Sequence, residues 1–215
     1  MSEKIALITG GSRGFGAAVA EALAPDYHVI ALARTTGGLE ELDDRIKAKG
    51  GEATLAPMDV TKPDAMAHLC RSIYDRWGHL NLWVHTAIHV PPLTPADHIS
   101  DKDWAKTVAT GITATGQLIP NISPLLHAAP NGAAVFVDDP NAGAFHGAYA
   151  AVKAAQRALF DAWAAEATTS TAPKVQSFTP APMPTATRAR FYPGEDRAPL
   201  SDIHAEAARL VATLR

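Results

Sequence analysis

Cysteine, net charge and long apolar runs are all scarce in this chain, and each shortage excludes a class of protein. Cys70 is the single cysteine, so no internal disulfide forms, and its place in an apolar helical pattern marks a core thiol rather than a nucleophile. No apolar run approaches the length that spans a bilayer, so no membrane partner is expected. A net charge of -3 over 215 residues leaves no basic footprint, which argues against nucleic acid. Repeats and low-complexity tails are missing, and the length suits one domain over residues 1–215. Met1-Ser2-Glu3-Lys4 runs straight into an apolar strand and leaves no room for a signal peptide, which with the lone cysteine points to the cytoplasm.

Glycine, by contrast, is concentrated near the start. Lys4 to Thr9 reads as a short buried strand, followed by Thr9-Gly10-Gly11-Ser12-Arg13-Gly14-Phe15-Gly16 and an alanine-rich helix. Gly10 permits the tight turn off the strand, while Gly14 and Gly16 let a ligand and the neighbouring strand come close. The free N–H groups of the first helical turn then face a phosphate. A glycine turn without a ligand is the simpler alternative, but a strand before it and a helix after it are the context that marks a dinucleotide site.

The alternation continues along the chain. Further strands are predicted at Tyr27–Ala33, Glu52–Met58, Leu80–Thr86, Ala133–Val137 and Lys174–Thr179. Helices are predicted at Gly14–Ala24, Leu39–Lys49, Lys62–Trp77, Asp101–His127, Gly147–Ala167 and Asp202–Leu214, with Pro120 kinking the long one. Short connections between these elements imply an α/β fold, a Rossmann-like doubly wound parallel sheet of six strands with helices on both faces. Ligands in such a sheet sit outside the carboxyl ends of the strands. The segment from Pro180 to Leu200 suits either a substrate lid or a plain surface loop.

Several side chains at those strand ends carry chemistry. Arg34, after the second strand, stands where a carboxylate would select NAD; with Arg13 it offers two cations to a 2′-phosphate, unless it is merely a solvated strand end. Asp59 ends the third strand and suits either an adenine amino group or a helix start. Tyr149 and Lys153 are four residues apart on one helical face. A phenol titrates near pH ~10, so proton transfer near neutrality requires a shift of roughly three units, of the sign that a nearby ammonium supplies. His85, His89, His127 and His146 have no ligand-set spacing, so no metal is expected.

The glycine turn, Asp59-Val60, Tyr149 through Lys153 and Pro180 to Thr185 together resemble the short-chain dehydrogenase/reductase family in order and spacing, over nearly the whole chain. Thr113-Ala114-Thr115 and the segment Thr187 to Asp196 look most like its YciK-type branch. The resemblance implies an oxidoreductase using NADPH on a small-molecule carbonyl or alcohol, with Tyr149 as acid/base and Lys153 binding the nicotinamide ribose and lowering the tyrosine pKa. It implies cofactor contacts at Gly10, Ser12, Arg13, Gly14, Phe15, Gly16, Arg34, Thr35, Asp59, Val60, Ala87, Lys153, Pro180 and Thr185. It also implies a homodimer, or a tetramer, through the long helices, with Leu159, Phe160 and Trp163 serving interface or core.

The departures fall on the catalytic machinery. Asp138-Asp139-Pro140 replaces the family's paired serines, the interval to Tyr149 is short, and the relay asparagine aligns with Gly111. His85-Thr86-Ala87-Ile88 replaces Asn-Asn-Ala-Gly, Pro180-Ala181 replaces Pro-Gly, and the usual last strand has no counterpart. One expectation is an enzyme in which a protonated Asp139 donates a hydrogen bond in the serine's place. The other is a degenerate member that binds dinucleotide or a protein partner as a sensor or scaffold.

Overall fold

The computed structural model describes residues 3–140 and 143–214. Six parallel strands form one sheet in the order β3-β2-β1-β4-β5-β6, from β1 (Ile5–Thr9), β2 (His28–Ala33), β3 (Ala53–Pro57), β4 (Leu82–His85), β5 (Ala133–Val137) and β6 (Lys174–Phe178). The helices are α1 (Gly14–Leu23), α2 (Thr36–Ala48), α3 (Pro63–Trp77), α4 (Asp101–Val108), α5 (Ala114–His127), α6 (Gly147–Glu166), α7 (Ala186–Phe191) and α8 (Ile203–Ala212). The doubly wound expectation holds.

Strand β1 shows why both faces are covered. Its side chains alternate, sending Ile5 and Leu7 to one face and Ala6 and Ile8 to the other, and every one is fully buried. Ala6 and Ile8 join a core with Val19 and Leu23 of α1 and Leu210 of α8. Ile5 and Leu7 join a second core with Leu69 of α3, Leu118 of α5 and Phe160 of α6. Cys70 lies in that second core, where burial pushes its thiol up to about 11. Phe160 and Trp163 are core residues too, which removes them from any interface.

The strand order reverses between β1 and β4, opening a crevice above their carboxyl ends. Gly10, at φ +91, turns the chain off β1 there, and a Cβ at Gly16 would stand 2.4 Å from the Gly10 carbonyl oxygen and 2.5 Å from Thr86 Oγ1. Only hydrogen at that position lets α1 seat against the turn.

Some predicted elements differ in extent. Helix α2 starts at Thr36 and encloses Gly37 and Gly38 instead of following them, because Gly38 packs against Ser12, 2.9 Å from its carbonyl oxygen to a built Cβ. Helix α5 runs on through Pro120 and Pro124, and the irregularity comes earlier, as a π turn at Ala109–Thr113 around Gly111. The segment after β6 holds the short helix α7, capped by Thr185, whose side chain accepts from Arg188 N–H. Among the described residues, no helix is long and apolar enough to cross a membrane.

Gly16→Ala is expected to destabilise the fold by about 1–3 kcal/mol, because the turn must move to admit the methyl group; urea denaturation measures it.

Candidate active site

The crevice is a cleft of about 910 Å³, at the upper end of the roughly 300–1,000 Å³ of ligand sites. The structure brings all the sequence-predicted residues to it: Gly10, Ser12, Arg13, Gly14, Phe15, Gly16, Arg34, Thr35, Asp59, Val60, Ala87, Asp139, Tyr149, Lys153, Pro180 and Thr185 all line its walls. Each comes from the carboxyl end of a strand or the helix start beyond it.

At one end the turn after β1 opens into α1. Arg13 precedes the helix and gives it no side-chain cap, so the N–H groups of its first turn remain available. A Cβ at Gly14 would meet nothing within 4 Å, which leaves room for a ligand to approach the backbone. Arg13 and Arg34 are exposed beside it. Asp59 Oδ1 accepts from Thr61 N–H and from Thr61 Oγ1, both at 2.9 Å, so the carboxylate is fixed by its own turn. These features fit a phosphate-bearing dinucleotide.

At the other end lie Tyr149 and Lys153 of α6. The Tyr149 hydroxyl donates to Asp139 Oδ2 at 2.9 Å. Asp139 is therefore an acceptor in this arrangement, not the donor expected of a protonated carboxyl. Burial first, and then the Asp139 carboxylate, push the phenol above its ordinary range. That direction is opposite to the one expected from Lys153. The ammonium donates to the Val137 carbonyl at 2.9 Å and lies 4.7 Å from the Phe136 ring centroid. Burial pulls it down to about 8, against the opposing pull of Asp138 and Asp139. Lys153 therefore shares its charge with strand β5 as well as with its own helix.

Asp138 does not compete for the phenol. It is buried, and Arg157 clamps it with Nε at 2.7 Å and a second guanidinium nitrogen at 2.6 Å. Arg157 stands one helical turn beyond Lys153, a spacing visible in the sequence once Asp138 is known to face α6.

Helix α7 supplies groups that the sequence reading left as loop. Phe191 is buried edge-on against Tyr149, with ring centroids 4.8 Å apart, and His146 contacts Phe191 from the other side at 5.0 Å. Arg188 pairs with Glu195, Nε to Oε2 at 2.7 Å, and lies over the Tyr192 ring at 4.6 Å. The readable signal was the Thr185 cap three residues ahead of Arg188. Arg190 and His89 also line the cleft, and partial burial with Lys106, Arg34 and Arg190 nearby lowers the His89 pKa.

Behind the cleft lies Gly111, the residue that the sequence resemblance aligns with the family's asparagine. A Cβ there would stand 1.9 Å from Val152 Cγ1, so α6 itself forbids a side chain. The Gly111 carbonyl accepts from Thr115 Oγ1, which belongs to a buried set with His85 and Gln156. His85 bridges Thr9 at 2.8 Å and Thr115 at 3.0 Å, and burial pulls its pKa down to about 3.

This geometry defines a class: doubly wound α/β proteins whose ligand cleft lies at the switch point of a parallel sheet. Within it the chain belongs to the short-chain dehydrogenases, an oxidoreductase family whose model, described as short chain dehydrogenase, matches residues 4–196. A fatty acyl-CoA reductase of Acinetobacter baylyi is 32% identical over 171 residues, covering 76% of this chain and 57% of that protein. A solved short chain dehydrogenase from Pseudomonas syringae superposes with a TM-score of 0.93 at 26% identity, covering 99% of this chain and 89% of the other. One from Escherichia coli complexed with NADPH gives 0.87 at 25% identity, covering 100% and 90%. The Escherichia coli oxidoreductase YciK, at 24% identity, TM-score 0.89 and 100% and 90% coverage, shares the fold. The chain spans about half the length of the first curated relatives it matches.

Gly111→Asn, which introduces the residue that the resemblance aligns there, is expected to cost about 1–3 kcal/mol by overpacking against Val152. Gly111→Asn with Val152→Ala should recover most of that loss in the same urea denaturation.

Proposed function

We propose that this chain is an NADP(H)-dependent oxidoreductase that interconverts a small carbonyl compound and its alcohol. The observation that carries the reading is one continuous cleft with an uncapped helix start and two free-standing arginines at one end and the Tyr149, Asp139 and Lys153 group at the other. Relatives solved with NADP and NADPH support the same cofactor. When bound, a nicotinamide dinucleotide supplies or accepts the hydride.

The protein's own groups divide the remaining work. Backbone N–H groups of α1, with Arg13 and Arg34, hold phosphates, and the cation at Arg34 selects the 2′-phosphate. Lys153 has donors beyond the one spent on Val137 and offers them to a ribose hydroxyl. Tyr149 donates its proton to the carbonyl oxygen as the alcohol forms. Phe191 and His146 cover Tyr149 and keep water from it.

The raised phenol pKa sets the form in which Tyr149 rests. Tyr149 stays protonated through neutral pH, which suits carbonyl reduction; alcohol oxidation needs tyrosinate and is held back by Asp139. Removing the carboxylate removes the repulsion, so the phenol pKa falls.

Calorimetric titration should show NADPH binding more tightly than NADH, with Arg34→Glu reversing or abolishing the preference. Equal binding of both, or of neither, would remove the cofactor assignment.

Tyr149→Phe is expected to lower turnover in a carbonyl screen by about 10²-fold or more while leaving NADPH affinity unchanged. Asp139→Asn should move the pH at which alcohol oxidation appears downward by about one unit. Unchanged turnover in Tyr149→Phe would overturn the assignment of Tyr149 as the acid, and an upward movement in Asp139→Asn would overturn its assigned effect on the phenol.

A further inference from the structure

At the opposite edge of the sheet, where the strands begin, Glu3, His28 and Glu52 converge. Glu3 precedes β1, His28 opens β2 and Glu52 precedes β3. One donor atom from each lies within 4.8 Å of the other two. Two of the three are exposed carboxylates, which alone would mean little; the imidazole is what makes the group unusual.

The His28 side chain is 6% exposed, and its two nitrogens have unlike surroundings. Nε2 meets Thr54 Oγ1 at 2.7 Å, whereas Nδ1 is buried with no hydrogen-bond partner among the described residues. That unpartnered nitrogen points between the carboxylates, 3.5 Å from Glu3 Oε1 and 3.9 Å from Glu52 Oε2. Charge-assisted hydrogen bonds are shorter, about 2.7–2.9 Å. Two ligands on one tetrahedral cation, each about 2.0–2.2 Å from it, lie roughly 3.3–3.6 Å apart. Both separations are too long for direct charge-assisted contact; the Glu3 one falls in the range for shared coordination, and the Glu52 one lies slightly beyond it.

The surroundings resemble a metal site's supporting shell. Thr54 holds the far side of the imidazole, and the Trp77 indole N–H donates to Glu3 Oε2 at 3.0 Å, fixing the oxygen that does not face His28. The Trp77 ring packs against His28 with centroids 5.1 Å apart.

We infer that Glu3, His28 and Glu52 form a binding site for a divalent cation of the zinc class, with one position left to water. One imidazole and two carboxylates suit that ion, and nothing in the cleft chemistry requires it there. Its effect is structural: it ties the chain entering β1 to the starts of β2 and β3. It is independent of the proposed oxidoreductase activity.

The test is titration of EDTA-treated, dialysed protein with zinc chloride by calorimetry, alongside thermal melts with and without the ion. One saturable site and a raised melting temperature are expected. Glu52→Gln, at an exposed position outside the core, should weaken binding at least about tenfold, and His28→Gln should eliminate the site. Absence of saturable binding would overturn the assignment. So would binding that Glu52→Gln and His28→Gln both leave intact, which would place the ion on other histidines. Should His28→Gln fail to fold, the affinity of Glu52→Gln decides alone.

Discussion

The fold and the cleft both depend on how closely the turn after β1 approaches the chain leaving β4. Thr86 holds the two together: its N–H donates to the Thr9 carbonyl at 2.9 Å, and its hydroxyl donates to the same oxygen at 2.8 Å. At 3.3 Å the hydroxyl also reaches the Gly10 carbonyl. Those carbonyls stand where the sheet splits and no further strand pairing can satisfy them. A single side chain therefore closes the end of β1 and fixes the turn. Gly16 seats α1 on that turn, and the helix start acquires its aim into the cleft from the pairing behind it.

The consecutive carboxylates after β5 show how backbone alternation separates two like charges. Asp138 turns inward to Arg157, which neutralises it, while Asp139 turns to Tyr149. The phenol thus has one of the two carboxylates, Asp139, as its hydrogen-bond partner, while Asp138 acts on it only through its charge. Lys153 donates to the Val137 carbonyl, and burial pulls its pKa down to about 8. Burial first, and then the two carboxylates with Asp139 foremost, raise the phenol pKa and outweigh the lysine on the same helix.

Much of this was legible in the sequence because it rests on short-range rules. Strand ends, the glycine turn and the Tyr149 to Lys153 spacing follow from periodicity and local chain geometry, and the cleft collects residues that all sit just beyond strand ends. What sequence reasoning missed depends on contacts distant along the chain. The clash between Gly111 and Val152 is invisible until α6 lies against the π turn, and the direction of the Tyr149 shift needs the burial that Phe191 supplies. Helix α7 was concealed by the prolines before it, since only the Thr185 cap announced its start. His28 read simply as a strand residue, because Glu3 and Glu52 reach it through the parallel register of β1, β2 and β3.

At Gly111, the position that the resemblance aligns with the family asparagine, the backbone is satisfied from within the fold. Thr115 occupies the Gly111 carbonyl, and the Gln156 amide donates to Thr115 at 3.0 Å and meets His85 Nε2 at 3.2 Å. His85 is held at both ring nitrogens, with Thr9 Oγ1 2.8 Å from Nδ1 and Thr115 Oγ1 3.0 Å from Nε2. Burial pulls the ring's pKa down to about 3, which keeps it neutral. The buried set is thus a rigid, neutral support with no proton to exchange near pH ~7. The Tyr149 hydroxyl has its partner outside this set, at Asp139 Oδ2 on the cleft side.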